Sequence, residues 1–240
     1  MTDRDRFYFR QLLSGLDFSV GDPVAEQMVN FAYAFGDRET GEAVLVDPAY
    51  APEELVSIVQ NDGMRVTGAL ATHYHADHVG GSLGGQTQIN GIVELLETTD
   101  VPIHVQADEV EWITKRTGVG ADALVAHAPG DVMNVGAFDV TLVHTPGHTP
   151  GSQCILVNGR LISGDTLFLD GCGRTDLPGS DPEEMYRTLT QRLSSISDET
   201  VLFPGHLYSA DPSAAMGDVR LHNRALVPAS ADQWLAMFAR

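Results

Sequence analysis

Basic residues are scarce: 14 Lys and Arg face 33 Asp and Glu, leaving a formal charge of −19 over 240 residues. Nucleic-acid binding needs clustered cations that displace counterions from phosphates, so this deficit excludes a nucleic-acid partner. Cysteine is rarer still. Cys154 and Cys172 are too few to staple a chain of this length, so a reducing compartment and small buried side chains are expected. Residues 1–21 open on alternating Asp and Arg and hold no apolar run long enough for a signal-peptide core or a membrane span. The expectation is a cytoplasmic protein with no membrane partner. A Gly-x-Ser-x-Gly elbow is also missing, and neither cysteine has an evident base beside it, so a side-chain nucleophile is unsupported.

What is present is enough apolar sequence, 43%, to close a large core. The expected organisation is a single domain over 1–240, with 211–240 a short C-terminal extension packed on it. Hairpins are predicted at 33–37 with 41–47, within 132–144 around Gly136, and at 154–157 with 161–162 around the Asn158-Gly159 turn. Further strands are predicted at 66–72, 101–105 and 201–203, and helices at 52–59, 107–117, 182–195 and 231–238. Residues 80–100 read as a Gly-rich loop with one short helical turn. Clustered hairpins with helices interspersed indicate sheets covered by helices rather than a regular βαβ alternation.

The strongest chemical signal is Thr72-His73-Tyr74-His75-Ala76-Asp77-His78, directly after a predicted strand. His73 and His75 are two residues apart, so in extended backbone both rings project to one side and can reach one ion. Asp77 and His78 follow where the chain turns, and can face a second ion or the space beside the first. Three later segments place a ligand type just past a strand: His148 in Thr145-Pro146-Gly147-His148, Asp165 in Gly164-Asp165-Thr166, and His206 in Pro204-Gly205-His206. A lone histidine is more often a hydrogen-bonded core or surface residue than a ligand. His104, His127, His144 and His222 are read that way, with a ligand-orienting hydrogen bond the alternative for His144.

In that order these motifs resemble the metallo-β-lactamase superfamily, over about 31–206. The resemblance implies a four-layered αββα sandwich of the mixed α/β class with metals at one edge of the two sheets. It implies one ion held by His73, His75 and His148, a second by Asp77, His78 and His206, and Asp165 between them. One or two divalent transition-metal ions are therefore expected, zinc first and iron as the alternative. Divalent ions acidify water, so hydrolysis is the expected chemistry, with Asp77 as catalytic residue as well as ligand.

Gly171-Cys172-Gly173-Arg174 resembles a segment shared by glyoxalase II thioesterases and mononuclear-iron persulfide dioxygenases. Arg174 could bind a substrate carboxylate or close an internal salt bridge. Tyr208 lies near enough to His206 to border the pocket, although an aromatic beside such a loop more often serves packing. Thr175-Asp176 and the 36–48 segment resemble the dioxygenase branch more closely; Gly205, where that branch commonly has alanine, does not, and 84–101 is longer than in either. Only 34 residues follow His206, whereas glyoxalase II enzymes add a larger helical region contacting glutathione, so another thiol conjugate fits better. The expectation is thus a thioester hydrolase acting on a small thiol conjugate, with an iron persulfide dioxygenase as the alternative. A β-lactamase or a non-catalytic metal-binding module ranks below both, and a homo-oligomer is compatible with the composition.

Overall fold

The structure, a computed structural model, describes residues 3–228 and 230–238. Met1, Thr2, Ala229, Ala239 and Arg240, at the edges of the expected N-terminal segment and C-terminal extension, lie outside the described residues. The strands are β1 (Phe7–Leu13), β2 (Phe31–Asp37), β3 (Glu42–Val46), β4 (Arg65–Leu70), β5 (Gly81–Leu83), β6 (Thr87–Ile89), β7 (Ile103–Gln106), β8 (Leu124–His127), β9 (Val132–Val135), β10 (Phe138–His144), β11 (Gln153–Val157), β12 (Arg160–Gly164), β13 (Val201–Pro204) and β14 (Ala214–Ala215). They form two six-stranded sheets, ordered β1-β2-β3-β4-β7-β8 and β14-β13-β12-β11-β10-β9, plus the β5-β6 hairpin.

Side-chain alternation explains the layering. On β2, Phe31, Tyr33 and Phe35 join Val44 and Val46 of β3 in a core shared with Val140, Leu142, Ile155 and Val157 of the second sheet. The intervening Ala32 and Ala34 point the other way and leave room for the layer holding Leu55, Ile92 and Ile113, from helices Pro52–Asn61, Ile92–Thr98 and Val110–Thr117. A third core, with Met185, Leu189, Val219 and Trp234, covers the outer face of the second sheet. Helix, sheet, sheet, helix is the expected αββα sandwich.

Several elements differ from the sequence reading. Strands β3, β4, β7 and β8 run parallel, so half of the first sheet is built by crossovers. Residues 80–100 fold as the β5-β6 hairpin followed by a helix, Ile92–Thr98, not as a loop. Gly91 opens that helix, and its N–H donates to Glu94 at 2.6 Å.

Asp37, fully buried at the end of β2, latches the two sheets. It accepts both arms of Arg6, at 2.7 and 2.6 Å, and the Glu39 and Ala137 N–H groups at 2.9 Å each. Gly136 faces it with φ +57, where a Cβ would overlap the carboxylate. The Arg6 guanidinium holds the Asp37 carboxyl well below the usual range, against burial. A depressed acid contributes stability above its unfolded pKa and loses it as pH falls. Asp37→Ala is therefore expected to destabilise the fold by about 2 kcal/mol at pH 7. The deficit should shrink below about pH 4; denaturant melts at pH 7 and pH 3 check both.

Candidate metal centre

Strand β4 ends at Leu70, and the chain then turns through His73, His75, Asp77 and His78, the last two in the short helix Ala76–Val79. β10, β12 and β13 run in one direction, so His148, Asp165 and His206 leave the second sheet at a single edge. Two backbone bonds close that edge against the first sheet: Gln153 N–H to Thr72 O at 2.9 Å and Phe31 N–H to Gly205 O at 2.8 Å. All seven sequence-predicted ligands meet there.

They meet in overlapping groups that can hold metal: His73, His75 and His148; His73, His78 and Asp165; and Asp77, His78 and His206. His75 Nδ1 lies 3.0 Å from both His73 Nε2 and His148 Nε2. Asp77 Oδ2 is 3.5 Å from His78 Nε2 and 3.4 Å from His206 Nε2. Asp165 spans the groups, with Oδ1 3.4 Å from His78 Nε2, and Oδ2 3.4 Å from His206 Nε2 and 3.7 Å from His148 Nε2.

For four of the five rings the far side decides which nitrogen faces inward. His73 Nδ1 donates to Thr72 Oγ1 (3.0 Å), His78 Nδ1 to Asp47 (2.8 Å), His148 Nδ1 to Arg174 O (2.8 Å) and His206 Nδ1 to Met28 O (2.8 Å). Thr72 can accept because its own hydroxyl donates to Asp47 at 2.6 Å. Four Nε2 lone pairs therefore converge on two carboxylates, and Asp165 Oδ1 is buried with no hydrogen-bond partner among the described residues. Buried acceptors facing one another repel unless a cation sits among them, so the donor set fits divalent metal.

The electrostatics divide the cluster in the same way. Burial, reinforced by neighbouring His78, holds His73 well below the usual histidine range. Burial and His148 hold His75 down to about 3, and burial also lowers His148. For His78 and His206 burial opposes charge but the carboxylates outweigh it, Asp77 and Asp165 for His78 and chiefly Asp165 for His206, so both are raised. Asp77 and Asp165 are lowered despite burial, by His78 and His206. One group thus presents neutral imidazoles, and the other pairs imidazoles with carboxylates.

Three contributors escape a sequence reading. Asp47, just past β3 with φ +51, also accepts the Thr72 N–H at 2.7 Å, so one carboxylate orients the loop and two of its histidines. Asn30 donates to Asp77 at 3.1 Å while accepting from Tyr50 at 2.8 Å. Glu109, buried behind the cluster, accepts from Thr149 Oγ1 (2.6 Å) and Gly151 N–H (2.8 Å), bracing the His148 loop, and burial raises its pKa to about 7. Asp47 and Asp165 share a readable signal: an acidic residue at the first turn past a buried strand.

The cluster floors a cleft of about 990 Å³ lined also by Tyr74, Arg116, Phe168, Arg174 and Tyr208. Arg174 is exposed and bonds Asp176 through Nε and Nη2, both at 2.8 Å. Tyr208 stacks on His206 with centroids 4.7 Å apart. The remaining histidines stay outside: His104 bonds His127 (2.9 Å), His222 the Asp218 carbonyl (2.9 Å), and His144 the Pro150 carbonyl (2.9 Å) rather than a ligand. Both cysteines are free, and burial pushes Cys154 up to about 11 and Cys172 up to about 12, which suits packing rather than attack. Among the described residues no helix is long and apolar enough to cross a membrane.

A family model described as metallo-beta-lactamase superfamily matches residues 29–206. The hydroxyacylglutathione hydrolase of Xanthomonas campestris pv. campestris is 35% identical over 78% of the chain, and the mitochondrial persulfide dioxygenase ETHE1 of Homo sapiens 30% identical over 74%. Each alignment spans 64% of that relative's length. Among solved structures, ETHE1 from Myxococcus xanthus superposes with a TM-score of 0.77 at 26% identity, covering 96% of this chain and 89% of that one.

Proposed function

Because the chain belongs to the metallo-β-lactamase superfamily, we propose that it is a metal-dependent hydrolase that cleaves a small thioester, with His73, His75, Asp77, His78, His148, Asp165 and His206 holding two divalent ions, zinc before iron. The observation that carries this reading is that the ligand atoms of the Asp77, His78 and His206 group, like those of the first, all lie within 4.8 Å of one another, with Asp165 reaching both. Gly205 supports it, since a Cβ there would overlap Asp165 Oδ1 and displace the carboxylate from between the groups.

Bound divalent ions supply a more acidic water and a Lewis acid for the scissile carbonyl. The Asp77 carboxylate, kept ionised by His78 and His206 and oriented by Asn30, takes the proton of the attacking water. Tyr208, whose phenol burial and Asp165 keep protonated, is a donor at the cleft wall. Arg174, locked to Asp176, presents its remaining N–H groups to the thiol portion of the substrate.

The second reading, an iron persulfide dioxygenase, is favoured by the likeness to the two ETHE1 proteins. The purified protein, analysed for metal, is assayed in parallel for hydrolysis of acyl thioesters and for oxygen uptake with glutathione persulfide. About two ions per chain with thioester cleavage is the expected result. One iron per chain with oxygen consumption overturns the hydrolase in favour of the dioxygenase.

A further inference from the structure

Helix Val110–Thr117 grips the residue between two ligands. Its Trp112 stacks on Tyr74 with centroids 4.9 Å apart, and Arg116 sits over the same ring at 5.4 Å. The Tyr74 ring in turn lies 4.6 Å from that of His75, so Arg116 is separated from the metal cluster by one aromatic side chain. Arg116 lines the cleft, and the β5-β6 hairpin holds it in place: Nη1 donates to Ser82 O at 2.8 Å, while Leu83 of the same hairpin forms adjacent wall.

Among the described residues three guanidiniums line this cleft, and two already have carboxylates, Arg174 with Asp176 at 2.8 Å and Arg224 with Asp170 at 3.5 Å. Arg116 has none within ion-pair distance among the described residues, and its Nε is buried without a hydrogen-bond partner. In a chain of net charge −19, with acidic groups plentiful, a fixed and unpaired guanidinium beside the reactive cluster is unusual. Its buried Nε–H in particular lacks the acceptor that a buried donor needs.

We propose that Arg116 is a carboxylate subsite and that it selects substrates bearing a carboxylate away from the reacting bond. The planar guanidinium is pre-aimed by Ser82 and by the Tyr74 face, so an incoming carboxylate meets a donor already oriented. The β5-β6 hairpin then has a function, that of fixing this arginine. This assignment rests on the cleft being the substrate site but not on which bond is cleaved there.

The test uses a matched pair of unreactive thioethers, S-propyl-N-acetylcysteine and its C-terminal amide, titrated calorimetrically into metal-loaded protein. The carboxylate form should bind about tenfold more tightly to the native protein, and Arg116→Gln should reduce that ratio to about one. Arg116→Met, which keeps an apolar stem over Tyr74, repeats the measurement should the glutamine variant not fold. A native protein indifferent to the carboxylate, or a folded variant that keeps the preference, overturns the subsite. Acyl thioesters of the same two thiols separate the two claims. If none is hydrolysed while the binding preference depends on Arg116, the subsite stands and the hydrolase reading fails.

Discussion

Asp165→Ala is expected to abolish metal binding and turnover together while leaving the sandwich intact. Among the described residues Asp165 is the one side chain whose oxygens reach His78, His148 and His206, so its loss withdraws a donor from both groups. Activity should fall by about a thousandfold or more, as when the centre that activates water is removed. The fold should survive because the cores are apolar layers between and outside the sheets, not the cluster. In the metal-free protein His206 and His78 hold this carboxylate ionised despite burial, so its loss should lower the metal-free melting temperature modestly without unfolding the sandwich. Metal at a thousand times its Kd should stabilise the native protein by about 4 kcal/mol, and that increment should vanish in the variant. Melting with and without metal, alongside elemental analysis, reads all three effects; a variant that keeps its metal and most of its activity contradicts the assignment.

The second large effect is expected at Asp47, which touches no proposed ion. Alanine there strands the Thr72 N–H, the Thr72 hydroxyl and the His78 Nδ1–H, all buried. A stability loss of about 3 kcal/mol and a 10- to 100-fold weaker metal affinity should follow. Asparagine separates the two. It tolerates the left-handed backbone at φ +51 and can still accept from Thr72, but it sets an amide donor against His78. Asp47→Asn should therefore recover most of the stability and little of the affinity. Native-like metal binding by Asp47→Asn in calorimetric titration would show that the carboxylate does not orient His78.

The seven proposed ligands were legible because their motifs are local and each follows a strand whose apolar run is plain. Asp47 and Glu109 were not, although both are buried, because their partners lie 25 to 42 residues away: the place of Asp47 just past a strand marks the position but not its partners, and nothing local sets Glu109 apart among 33 acidic residues. The layering was readable from alternation on β2, β3, β10 and β11. Strand β8 was not: only Leu124 is buried in a four-residue sheet edge, leaving no alternation to detect. The β5-β6 hairpin was hidden by its own Gly84 and Gly85, which have positive φ and serve the turn. Arg116 gave no signal either, since its place over Tyr74 exists only once the helix packs on the ligand loop.

The most direct measurement is anomalous diffraction from crystals grown with zinc, recorded on both sides of the zinc absorption edge. Two peaks about 3.5–4 Å apart, one against His73, His75 and His148 and the other against Asp77, His78 and His206, with Asp165 touching both, is the expected result. A single peak confined to His73, His75 and His148 would contradict the two-ion centre, and no peak among these residues would contradict the metal site altogether.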